Sequence, residues 1–99
     1  MEPVYLRIVK NQGTTLVAAC DRTLLGKTFR QGKLKLEVLP SFYQGVPSTI
    51  EETMQALEVA NIGNLVGTTV VTAAIEKGLV DPEAVIKIDG VPHAQIVKV

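Results

Sequence analysis

The sequence predicts an α+β domain: an antiparallel or mixed sheet of about five strands, with two main helices packed on one face, in the order β-β-β-α-α-β-β. Three observations carry this. Three β-forming runs lie in the first forty residues, helical spacing with cap residues occupies the middle, and two short β-like runs follow it. Strands and helices that segregate along a chain, rather than alternate, favour such a layered architecture. The 99 residues fit one domain, 1–99, built on one hydrophobic core.

Each element has its own signal. Val4 to Lys10 is rich in β-formers, Asn11-Gln12-Gly13 is turn chemistry, and Thr14 to Cys20 is a second strand, so the chain opens on a hairpin. Leu34, Leu36 and Val38 alternate with Lys33, Lys35 and Glu37, which predicts a strand with one buried and one wet face. Pro40 to Pro47 reads as a loop. Ser48 and Thr49, each with a glutamate three residues on, offer a capping box to a helix that buries Ile50, Met54 and Leu57. That helix breaks near Asn61-Ile62-Gly63. A second is expected from about Gly63 to Lys77, apolar nearly all round and closed by Gly78. Asp81-Pro82 is an N-cap followed by an N1 proline. Val85 to Ile88 and Ala94 to Val99 are β-like, and flank a turn at Asp89-Gly90-Val91-Pro92-His93.

Composition narrows the function classes. A hydrophobic fraction of 46% and a mean hydropathy of +0.26 exclude disorder. The single cysteine, Cys20, excludes an intrachain disulfide. The longest uncharged stretch, Val59 to Ile75, is too short and too polar for a membrane span, and no signal peptide is evident, so the cytoplasm is the expected address. A net charge of zero argues against a general coat for nucleic acid or membrane. The halves differ, however. Residues 1–50 carry seven Lys/Arg against three Asp/Glu, residues 51–99 the reverse, three against seven. Arg22, Lys27, Arg30, Lys33 and Lys35 follow one another with no acidic residue between. Either the halves pack together and neutralise each other, or the basic segment is an interaction face.

The chemistry-bearing residues are few. Gly26-Lys27-Thr28 matches the end of a phosphate-binding loop, but Asp21 stands where that motif needs its first glycine and Gly32 interrupts any following helix. Lys27, Arg30 and Lys33 around Phe29 form a small basic patch with one aromatic, suited to an RNA backbone. Cys20 and His93 are too few for a structural zinc site, and neither metal nor cofactor is expected. They are the candidates for a nucleophile–base pair, with Asp21, Asn61 or Asn64 to orient the imidazole. Asn64 in an apolar segment either caps a helix or faces a ligand.

Leu25 to Gly32, Phe42-Tyr43-Gln44-Gly45, Ala60 to Gly67 and Gly90 to Gln95 resemble, in order and spacing, the landmarks of a short archaeal family catalogued as domain of unknown function number four hundred and twenty-four. The resemblance covers essentially the whole chain. It implies an archaeal, cytoplasmic, single-domain protein with Lys27, Phe29, Asn64 and His93 as candidate functional positions, and an association with translation.

Two function classes follow as expectations. One is a non-enzymatic module that binds RNA or ribosomal components through residues 22–35, using Arg22, Lys27, Arg30 and Lys33. The other is a small-molecule binder or enzyme that holds an anionic ligand near Lys27, Asn64 and His93. Lining of one concave pocket by those three residues would favour the second, and cations on an open face the first.

Overall fold

A computed structural model describes residues 2–98. The chain runs β1 (Val4–Asn11), β2 (Thr14–Asp21), a 3-10 turn (Arg22–Leu24), β3 (Thr28–Gln31), β4 (Leu34–Glu37), α1 (Pro40–Tyr43), β5 (Val46–Ser48) and α2 (Ile50–Val59). It continues through β6 (Ile62–Val66), α3 (Thr68–Glu76), a second 3-10 turn (Pro82–Ala84), β7 (Ile86–Ile88) and β8 (Val91–Val97). Six strands form a mixed sheet in the order β5-β1-β2-β6-β8-β7, and β3 and β4 form a separate two-stranded hairpin. The α+β class, the opening hairpin and the strand at 34–37 are as the sequence predicts.

Local chemistry explains the turns and caps. Gln12 and Gly13, and again Asp89 and Gly90, have positive φ, which is the two-residue turn that matches the twist of a hairpin. At α2 the capping box forms on Thr49: its hydroxyl accepts from the Glu52 N–H at 3.0 Å, and the Glu52 carboxylate accepts from the Thr49 N–H at 2.9 Å. Those bonds hold the Glu52 carboxyl below its ordinary pKa. Asp81 caps the turn opened by Pro82.

The segment 62–66 differs from expectation. It is a central strand, β6, and not the start of a helix. It runs parallel to β2 and antiparallel to β8. The strand is only five residues long, Ile-Gly-Asn-Leu-Val, with Gly63, Leu65 and Val66 buried and Ile62 and Asn64 half-buried, and so short a run gives periodicity too little to tell a strand from a helix. Gly67, with φ +117°, ends it and turns the chain into α3. The loop expected at 40–47 holds α1 and β5, and β3 stands where no strand was expected. The last turn is shorter than predicted: Val91, Pro92 and His93 already belong to β8. Val99, the end of the predicted final run, lies outside the described residues.

Two cores sandwich the sheet. On one face α2 and α3 cover Val4, Leu6, Val17, Ala19, Leu65, Ala94 and Ile96. Gly63 permits the close approach there, since a Cβ would press on Leu57 and Ile96 at 3.1–3.3 Å. On the other face the β3–β4 hairpin and α1 cover Ala18, Cys20, Val66 and Ile88 with Leu36, Val38 and Tyr43. Gly45 follows α1 where the chain crosses β1, and any Cβ at that position would collide with the Leu6 carbonyl.

Candidate functional site

The hairpin presents the basic segment. Phe29 pairs with Leu36 across β3 and β4, and both side chains face the second core, where Leu36 is 7% exposed and Phe29 is half-buried. Side chains alternate along a strand, so Arg30 and its cross-strand partner Lys35 face the opposite way, into solvent. Lys27 and Lys33 flank β3 and are exposed. The hairpin is fixed at both ends. At its base the Val38 N–H donates to the Lys27 carbonyl (2.9 Å) and the Gly26 N–H to the Val38 carbonyl (2.8 Å). Near its tip Gln31 Oε1 accepts from the Asp89 N–H at 2.7 Å. Arg22 sits apart from the hairpin, with its guanidinium 5.6 Å from the ring centre of Tyr5.

The two charged halves do not neutralise each other. Among the described residues the ion pair at 4 Å or less is Lys35–Glu37 (3.1 Å), which lies within the hairpin itself. Glu51, Glu52, Glu58, Glu76 and Glu83 lie on α2, α3 and the second 3-10 turn, on the opposite side of the sheet. The hairpin side is therefore predominantly basic, while the helix side carries these glutamates together with Lys77, Lys87 and Lys98.

Cys20 and His93 do not form a pair. Tyr5, Cys20, Val66, His93 and Ile86 are register partners across five strands, so Val66 stands between the two, about 10 Å apart at two strand spacings. Cys20 is 0% exposed, and burial, reinforced by the charge of Asp21, pushes its thiol up to about 12. A thiol held protonated is not a nucleophile. The imidazole donates from Nδ1 to the Leu65 carbonyl at 2.9 Å. None of the three expected orienting groups reaches it. Asp21 accepts from the Thr69 and Val70 N–H groups (2.9 and 3.0 Å), Asn61 Oδ1 from the Thr15 N–H (2.7 Å), and Asn64 Oδ1 from Gln95 Nε2 (3.0 Å). Asn64 is thus neither a helix cap nor buried. It lies with His93 and Gln95 on the part of the sheet beyond the hairpin.

The phosphate-loop resemblance also dissolves. The Gly26 N–H is engaged by Val38 and the Lys27 N–H donates to the Leu24 carbonyl, and a strand follows where that motif needs a helix. Three concavities of about 290–400 Å³ lie elsewhere, and none is lined by Lys27, Asn64 or His93. Among the described residues, no group of three or more His, Cys, Asp or Glu is placed to share a metal ion, and no helix is long and apolar enough to cross a membrane. The role of Asp21 was invisible in the sequence, since it caps a helix 48 residues away.

A family model described as protein of unknown function, DUF424, matches residues 9–99. The chain belongs to the DUF424 family. The landmarks that carried the resemblance now have physical reasons in this DUF424 fold: Gly45 and Gly67 sit at close approaches, Tyr43 packs in the core, and Gly63 lies under α2. A crystal structure of an uncharacterized conserved protein from Methanopyrus kandleri shares the fold, with a TM-score of 0.77 and 22% sequence identity, over 97% of this chain and 94% of that one. No curated protein matches.

Proposed function

We propose that this DUF424 protein is a non-enzymatic, cytoplasmic module that binds RNA or a ribonucleoprotein of the archaeal translation machinery through the outer face of the β3–β4 hairpin. One observation carries the reading: Lys27, Arg30 and Lys33 project from one anchored hairpin with no carboxylate of the described residues within 4 Å, while the acidic residues of α2 and α3 lie across the sheet. Lysine and arginine in such an array bind phosphates and release counterions, and this supplies most of the sequence-independent affinity for RNA. Arg22, on Tyr5, stands apart from this array, and Phe29 serves by wedging the hairpin onto the core. A small anionic ligand would use the same chemistry. RNA is the better match because the cations are exposed and line none of the three concavities.

The test is RNA binding at several salt concentrations, with wild type beside a Lys27→Glu/Arg30→Glu/Lys33→Glu variant. Three neutralised phosphates give a log–log salt slope of about −2 to −3. The variant is expected to lose binding while keeping its thermal unfolding transition. Equal affinity and slope in the two proteins would refute the reading.

A further inference from the structure

We infer that the hairpin favours double-helical segments of RNA over single strands, an inference that rests on its reading as an RNA-binding face. The placement of the aromatic residues carries it. Single-stranded RNA is held chiefly by stacking its bases on exposed aromatic rings, whereas a duplex hides its bases and offers a regular array of phosphates and 2′-hydroxyls. All four aromatic side chains of this protein are engaged elsewhere. Tyr43 is 5% exposed, and Phe42 meets it edge-on with ring centres 4.9 Å apart. Tyr5 lies under Arg22, and Phe29 faces the second core. No ring is presented beside Lys27, Arg30 or Lys33.

The rigidity of the hairpin points the same way. Packing of Phe29 and Leu36, the Gln31–Asp89 bond and the backbone bonds at Lys27 and Val38 fix the hairpin backbone from which the cations extend. A fixed spacing of the backbone positions that carry the cations suits phosphates that are themselves regularly spaced. A flexible strand would have to be ordered onto the cations with no stacking to offset the loss of freedom. Counterion release adds to the bias, because each contacted phosphate contributes a log–log slope of about −0.9 on a duplex and about −0.7 on a single strand.

The experiment compares a labelled RNA duplex of about 16 base pairs, the span a double-stranded-RNA domain covers, with its two component strands chosen to be unstructured. Wild type and Arg30→Glu/Lys33→Glu are titrated at matched salt. The duplex is expected to bind about tenfold or more tightly than either strand, with the steeper salt slope, and the variant to lose the duplex. Binding of a strand as tightly as the duplex, still abolished in the variant, would overturn the duplex preference and leave the RNA-binding face intact. Binding of neither RNA by wild type would overturn that face and the preference together.

Discussion

Cys20 and its neighbour Asp21 show how far a residue's role depends on what folds over it. In sequence Cys20 is no more than one candidate for a nucleophile, and in the fold it is a small apolar core residue. It is expected to resist a thiol reagent in the native protein and to react at once in denaturant, and fast native labelling would contradict its burial. The pH dependence has a definite sign. The folded-state pKa of Cys20 rises from an ordinary value near 9 to about 12, and that of Tyr43 from 10 to about 12, both chiefly by burial. The folded state thus holds these protons more tightly than the unfolded chain. Stability is full below about pH 9 and falls as pH rises from 9 towards 12. A urea midpoint that stays level over that window would contradict this. Asp21 is a structural carboxylate. Asp21→Ala strips two acceptors from the first turn of α3 and is expected to cost about 1–2 kcal/mol in urea unfolding, with Asp21→Asn costing less. Gly67→Ala is expected to cost roughly 2–3 kcal/mol, because φ is +117° there and the added Cβ runs into the Asp21 carboxylate.

Elements were legible where one face is wet. β4 alternates leucine with charge, and α2 announces itself with the Thr49–Glu52 box, so both were readable from the residues alone. β6 was not, because five residues with a glycine and an asparagine among them carry too short a pattern to mark a strand, and its place is set by pairing with β2 and β8. β3 was hidden in the same way: four residues with one apolar position, Phe29, carry too little pattern, and pairing with β4 defines the strand. The candidate site divides in the same way. The run of cations was plain in the sequence, but which of them face outward, and that Phe29 faces inward, follows only from the register of the hairpin. The spatial row Cys20–Val66–His93 joins three strands far apart in the chain, which no local pattern encodes.

At the scale of the whole molecule the sheet acts as a partition. The hairpin and its cations lie on one side, the helices and their glutamates, with Lys77, Lys87 and Lys98, on the other, and zero net charge conceals the uneven distribution. A module built this way is expected to approach a polyanion with one side only. The most direct measurement is to titrate isotopically labelled protein with RNA and follow the backbone amide signals by NMR. Shifts concentrated at residues 27–35, with α2 and α3 unmoved, are the expected result. Shifts centred on α3, or on the sheet face around Asn64 and His93, with a silent hairpin, would contradict the proposed interface.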